Sequence, residues 1–413
     1  MTQDAFTGTF DCIIVGAGHG GCQTAAALRQ AGFEGSIALI GAEPEVPYDR
    51  PSLSKEYLAG KKTFERMHLR PQDFWSSRNV ELLLSARVVA VDPIAKTVTL
   101  ENGARYSYGS LVWAAGGEPR KLSCPGSELP GIFYIRSKAD CDALLNVLAD
   151  VRKVAIIGGG YVGLEAAAVF RELGKDVVLV EALDRVLARV AGEPISRFYE
   201  REHRDHGVDI RLNSGVKAIV GHDSHVSGLL LESGQAIEAD IVVVGIGIVP
   251  SAAPLLTAGA EGSNGVDVDE HCRTSLPHIY CVGDCAKLIN GAGIRIESVQ
   301  NATDQATTAA KAICGDYKAY DALPWFWSNQ YDLKLQTVGL NVGYDAVVLR
   351  GEPASRSFSL VYLKNGAVIA LDCVNSPRDY VQGRKLVEHA AKLSSERLAD
   401  TSKQLKELTL ETN

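Results

Sequence analysis

The chain of 413 residues has no apolar run approaching the roughly 20 residues that cross a bilayer, so no spanning helix and no membrane partner are expected. It has no run of five or more basic residues. Its 42 Lys and Arg stand against 50 Asp and Glu, for a net charge of -8. General nucleic-acid binding relies on neutralising phosphates and is therefore not expected. A local basic patch remains the route to an acidic partner. The first ten residues carry no basic side chain, unlike a secretory leader. The nine cysteines show no CxxC spacing, and none falls between Cys22 and Cys124. Odd in number and scattered, they read as buried thiols in a reducing cytoplasm, with no metal site. Disorder is excluded too, because 46% hydrophobic and 22% charged residues are ordinary for a folded chain. At roughly 150 residues per domain, two to three domains fit.

What is there begins with glycine. Phe10-Asp11-Cys12-Ile13-Ile14-Val15 leads into Gly16-Ala17-Gly18-His19-Gly20-Gly21. The helical pattern CQTAAALRQAG follows, then an apolar run from Ser36 to Ile40 and the acid Glu43. The unit recurs: Val154-Ala155-Ile156-Ile157, then Gly158-Gly159-Gly160-Tyr161-Val162-Gly163, the helix LEAAAVFRELG, the strand Val177–Val180 and Glu181. One GxGxxG is a weak signal. Two of them, each between a strand and a helix with an acid about 20 residues on, are a strong one. The first glycine (Gly16, Gly158) permits the tight turn. The second (Gly18, Gly160) lets a pyrophosphate approach the backbone, and the third (Gly21, Gly163) lets helix and strand pack closely. The helix N-terminus then offers free N–H groups to phosphate.

The acids select the nucleotide. Glu181 directly follows its strand, where a carboxylate bonds both ribose hydroxyls and repels a 2′-phosphate, favouring NADH over NADPH. Arg185, nearby, is the residue that would serve a phosphate instead. Glu43 is displaced by about two positions and is a weaker ribose partner. His19 reads as a tolerated turn residue. Two dinucleotide sites call for two dinucleotides, a nicotinamide nucleotide and a second redox group, FAD, between which hydride passes.

The runs 111–117 and 239–247 read as strands ending in small-residue turns, and 279–284 as a strand ending in Gly-Asp. A helix is expected near 301–314. From Leu323 aromatics cluster, and short alternating runs predict an antiparallel sheet. A helix is predicted over 378–393. Leucines 398, 405, 408 and 410 mark a tail that either docks or frays. Cys281 and Cys285, four apart, read as buried packing. The fold class is α/β, with two Rossmann-like, three-layer dinucleotide-binding domains and a C-terminal α+β domain built on an antiparallel sheet.

These fingerprints, the turn 114–117 and VGDCA (282–286) resemble the two-dinucleotide flavoprotein disulfide-reductase superfamily. YDRPSLSKEYL (48–58), RIESVQNA (295–302) and PWFWSNQYDLKLQTVGL (324–340) are similar to the ferredoxin reductases of bacterial oxygenase systems, the type of the putidaredoxin, rubredoxin and aromatic-dioxygenase reductases. The resemblance runs from Phe10 to about Leu393. It implies a split FAD domain (1–117 and 251–322), an inserted NADH domain (118–250) and a third domain (323–413) covering the flavin. FAD would be held by Gly16, Gly18, Gly21, Glu43, Arg50, Ala115, Gly116, Val299 and Asp284, the last on the ribityl chain. Lys55 would lie near the flavin's reactive edge, paired with Glu165, and Trp327 close to the ring system. NAD would be held by Gly158, Gly160, Tyr161, Val162, Gly163, Glu165, Glu181 and Gly247. Plainer readings stand beside these. The minor alternatives are Lys55 as a solvated cap, Glu165 as a first-turn acid, Trp325 and Trp327 as interface core, and Asp284 as a turn residue.

One departure from the superfamily is informative. Its disulfide-reducing and peroxidase members carry redox cysteines where this chain reads Leu53-Ser54-Lys55, so electrons would leave directly from the flavin. Ser52, where a second proline is usual, and Gln300 are milder departures. The implied activity is transfer of electrons from NADH through FAD to a 2Fe–2S ferredoxin, which feeds a haem monooxygenase or a ring-hydroxylating dioxygenase. Arg66, Arg70, Arg295 and Lys334 are candidates for a basic docking face. Rival readings are an NADH oxidase, a reductase of quinones or radicals, and a signalling flavoprotein of the apoptosis-factor type.

Overall fold

The structure is a computed structural model that describes residues 7–289 and 293–410. The chain gathers into two compact units. One draws on Met1–Arg50, Thr63–Glu118 and Ile248–Ala322, the other on Pro51–Lys62, Pro119–Gly247 and Leu323–Asn413.

The first unit is built on a seven-stranded sheet. Val80–Leu83, Ile37–Ile40, Gly8–Val15 and Arg105–Trp113 lie side by side and parallel. Arg105–Trp113 then forks. Its first half pairs antiparallel with Thr97–Leu100, and its second half pairs parallel with Ile279–Cys281. Successive residues of a strand face opposite sides, and parallel strands are covered on both, so the runs must be apolar throughout. Ile13 and Val15 join Ile40, Leu111, Trp113 and Ile279 on one face. Cys12 and Ile14 join Leu39, Val112 and Val282 on the other. Helices His19–Gln30 and Val299–Ile313 cover this second face through Ala25, Leu28, Ala306 and Ala310.

The second unit holds five parallel strands in the order Asp209–Arg211, Asp176–Val180, Lys153–Ile157, Ile241–Val244 and Ile132–Tyr134. The antiparallel strands Val216–His222, His225–Leu231 and Ala236–Glu238 pack Ile219, Leu229 and Ile237 into a cluster with Ala155, Ile157 and Val242. The same unit contains the antiparallel sheet expected after Leu323, in the order Trp325–Gln330, Leu333–Gly339, Ala367–Val374, Ser357–Lys364 and Ala346–Glu352.

The helix expected over 378–393 is Pro377–Glu388. It stops early because the chain turns at Ala390, with φ of 45°, and Lys392 bridges back to Ala367. The tail is docked. Leu398, Leu405 and Leu408 are buried in the core beneath this helix, while the Leu410 side chain lies outside the described residues. Arg350, only 5% exposed, ties the tail down by donating to the carbonyls of Leu398, Asp400 and Lys403 and pairing with Asp379. Seven of the nine cysteines are buried; Cys124 is intermediate and Cys314 exposed. Among the described residues no helix is long and apolar enough to cross a membrane.

Candidate active site

In the first unit the glycine turn leaves the strand Gly8–Val15 and enters the helix His19–Gln30. Gly16 has φ of +112°, and a Cβ there would sit 2.2 Å from the Ala114 carbonyl oxygen. A Cβ on Gly21 would sit 1.8 Å from the Gly16 oxygen, whereas one on Gly18 would meet nothing within 4 Å. Conformation demands the first glycine and packing the third. The space before the second is the cradle a pyrophosphate needs, at the N-terminus of a 12-residue helix. The other candidates of this unit collect around it because the strands are parallel. Gly16, Glu43, Ala115 with Gly116, and Asp284 follow the C-terminal ends of Gly8–Val15, Ile37–Ile40, Arg105–Trp113 and Ile279–Cys281, the edge where open α/β sheets take ligands. Val299 opens the helix Val299–Ile313, which is capped by Ser298.

Glu43 is bound within the unit. Arg50 Nη2 donates to its Oε1 at 2.7 Å, and the Tyr48 hydroxyl donates to its Oε2 at 2.6 Å. Asp284 is half-buried, and its carbonyl accepts from Arg295 at 2.7 Å. The Arg295 side chain is 8% exposed and also pairs with Glu297 at 2.7 Å. It is therefore an internal strut of its loop rather than a docking charge. His19 Nε2 lies 3.5 Å from Asp49.

The second unit repeats the cradle. Gly158 has φ of +106°, and its Cβ would meet the Gly245 oxygen at 2.5 Å; that of Gly163 would meet the Gly158 oxygen at 2.1 Å. Gly160 has only the Gly245 oxygen, at 3.9 Å. Tyr161 and Val162 start the helix Tyr161–Glu172, and Val162 is exposed despite its apolar side chain. Gly247 follows the strand Ile241–Val244 and has open space in front of it. Glu181 is pre-set by the backbone, its two oxygens accepting from the N–H groups of Gly159 and Leu183 at 2.7 and 2.9 Å. Arg185 is spent inside the unit on the carbonyls of Ala188 and Ala191 and on the Ser196 hydroxyl, so it does not offer itself to a 2′-phosphate.

Lys55 and Glu165 meet in this unit at 2.8 Å, with side chains 12% and 3% exposed. Lys55 is thus no solvated cap. Glu165 is the fifth residue of its helix, whose first turn contains no acid, so the helix dipole does not account for it. Three donors converge on its carboxylate: Lys55 and Ser54 on Oε2, and Ser328 on Oε1, both hydroxyls at 2.7 Å. A buried ion pair needs such extra hydrogen bonds to offset desolvation. The serines were not singled out from sequence. The signal was available, because Ser328 and Gln330 are polar at two alternate, inward positions of the strand Trp325–Gln330. Trp327 is half-buried on that strand beside Trp325, with ring centroids 5.6 Å apart.

Residues 10–306 match the family described as pyridine nucleotide-disulphide oxidoreductase. The chain belongs to this family. Residues 325–409 of the oxidoreductase match a second family, described as reductase C-terminal. It is 56% identical to the 5,5'-dehydrodivanillate O-demethylase ferredoxin reductase subunit of a Sphingobium species, over 97% of this chain and 98% of that one. It is similar to the crystal structure of a ferredoxin reductase from Rhodopseudomonas palustris, with 40% identity, a TM-score of 0.93, and 96% and 99% of the two chains covered. A third likeness is to the covalent putidaredoxin reductase–putidaredoxin complex, with 37% identity, a TM-score of 0.93 and 99% of both chains covered. The chain is thus an NAD(P)H-dependent oxidoreductase that uses FAD and NAD(P)H. Its two cradles, each with an empty space only at the second glycine, fit two dinucleotides.

Proposed function

We propose that this oxidoreductase oxidises NADH and reduces a 2Fe–2S ferredoxin that feeds an oxygenase, a haem monooxygenase or a ring-hydroxylating dioxygenase. The observation that carries this reading is the 56% identity, over nearly the whole of both chains, with a ferredoxin reductase subunit of an O-demethylase. FAD, when bound, supplies the exchange between a two-electron nicotinamide and one-electron acceptors. Residues 1–117 and 251–322 bind FAD through Gly16, Gly18, Gly21, Glu43, Arg50, Ala115, Gly116, Asp284 and Val299. Residues 118–250 bind NADH through Gly158, Gly160, Tyr161, Val162, Gly163, Glu181 and Gly247. Residues 323–413 bring Trp327 to the flavin. Lys55, held by Glu165, presents a fixed positive charge to FAD, the kind of preorganised group that stabilises developing negative charge. With no cysteine between Cys22 and Cys124, no dithiol relay stands between FAD and the acceptor.

The decisive experiment records NADH consumption and oxygen uptake together, with and without an added 2Fe–2S ferredoxin. A large acceleration by ferredoxin over a slow oxygen background is expected. Fast turnover with oxygen alone would make the chain an oxidase and end the ferredoxin reading. For the nucleotide, Glu181→Ala should raise the KM for NADH about tenfold, the loss of one charge-assisted hydrogen-bonding group. Flavin content should not change. An unaltered KM would remove Glu181 from the ribose site.

A further inference from the structure

The polar groups behind Glu165 reach further than an ion pair requires. Ser328 Oγ, bonded to Glu165, is 3.2 Å from Gln330 Nε2, and Gln330 Oε1 is 2.8 Å from His203 Nε2. His203 Nδ1 is in turn 3.1 Å from the Tyr331 hydroxyl. Glu165, Ser328, Gln330 and His203 are at most 3% exposed. Tyr331 is half-buried, and its ring lies 3.8 Å from that of the exposed His206, within 12° of parallel.

The direction of these bonds follows by elimination. A carboxylate paired with Lys55 only accepts. Ser328 therefore donates to it and accepts from Gln330, which turns its NH2 group to Ser328 and its oxygen to His203. That oxygen also only accepts, so His203 carries its proton on Nε2. Its Nδ1 is left as the acceptor, and Tyr331 donates to it. Burial holds His203 down to about 4 and pushes the Tyr331 phenol up, so each keeps the form required at ordinary pH.

We propose that Tyr331, His203, Gln330 and Ser328 are positioning residues, a one-way hydrogen-bond chain whose aligned donors end on Glu165 and hold its carboxylate against the Lys55 ammonium. Aligned donors polarise one another, so the group at the end feels more than its nearest neighbour. Oε1 is committed to this chain, which leaves Oε2 to Lys55 and Ser54. With the carboxylate charged, the donors align in one direction, and the His203 tautomer reports that direction. The effect on catalysis rests on the reading that Lys55 serves FAD; the tautomer does not.

Two measurements test the chain. The first is the nitrogen chemical shifts of 15N-histidine-labelled holoenzyme, with His203 assigned by its absence in His203→Gln. A protonated Nε2 and a bare Nδ1 are expected, and the opposite tautomer would overturn the chain. The second is stopped-flow reduction of the bound flavin by NADH in Gln330→Met and Tyr331→Phe. The limiting rate should fall three- to tenfold with the NADH Kd unchanged, and neither variant should slow it further in a Lys55→Met background. Unchanged rates, or the full effect surviving in that background, would defeat the positioning role. If Lys55→Met by itself leaves flavin reduction untouched, the role given to Lys55 above fails, and the tautomer still decides the chain.

Discussion

Glu165→Leu is expected to destabilise the protein by about 3–5 kcal/mol, the cost of leaving a buried charge without its partner. Lys55 is 12% exposed, and besides Glu165 its ammonium has a hydrogen bond to the Pro51 carbonyl at 3.1 Å. The variant would also leave the Ser54 and Ser328 hydroxyls without their carboxylate acceptor. The double variant Lys55→Met/Glu165→Leu should regain most of the loss, because well-packed apolar side chains often replace a buried ion pair at little cost. It should not regain all of it, since the serines remain short of an acceptor. Urea unfolding followed by far-ultraviolet circular dichroism reads both. A double variant no better than Glu165→Leu would mean that the loss came from packing and not from charge.

Gly163→Ala should weaken NADH binding about 100-fold and leave FAD content unchanged. The added Cβ would lie 2.1 Å from the Gly158 oxygen, where carbon–oxygen contacts normally keep about 3.3 Å or more. The helix Tyr161–Glu172 must then withdraw by about 1 Å, taking its free N–H groups with it, and an error of that size can cost a hundredfold. FAD should be spared because the glycine turn proposed for it, Gly16–Gly21, belongs to the other compact unit. NADH titration of the purified yellow protein gives one number, and the ratio of flavin to protein the other. Equal loss of both nucleotides would refute the division of labour between the two turns.

The turns were legible in the sequence because glycine's demands are local. A φ of +112° at Gly16 and a 1.8 Å approach at Gly21 follow from a few residues of strand and helix. Parallel strands buried on both faces left unbroken apolar runs, so the central strands of the two sheets were legible as well, while half-exposed edge strands such as Val80–Leu83, Asp209–Arg211 and Ile132–Tyr134 were not. The surroundings of Glu165 were not. Its serine partners stand 111 and 163 residues away, and His203 and Gln330 meet only because a helix of one domain-like stretch packs near a strand of another within the same unit. Arg295 misled for a related reason. A charged residue in a loop reads as surface until the fold shows Glu297 and a carbonyl closing over it. The end of the helix at Glu388 was hidden too, because helical periodicity gives no notice of Lys392 bridging back to Ala367.

The chain passes between its two units at residues 50, 62, 118, 247 and 322. During synthesis, therefore, neither unit is complete until late. The strand Arg105–Trp113 waits for Ile279–Cys281 to pair with it, and Glu165 waits for Ser328. Of the two sheets with parallel strands, the first draws Ile279–Cys281 from a distant segment, whereas the five strands between Ile132 and Val244 come from one uninterrupted stretch of their unit. The sheet that carries Gly158–Gly163 is thus placed to form before the first unit's sheet is complete. Glu165, on a helix of that stretch, still lacks Ser328, a donor translated 163 residues later.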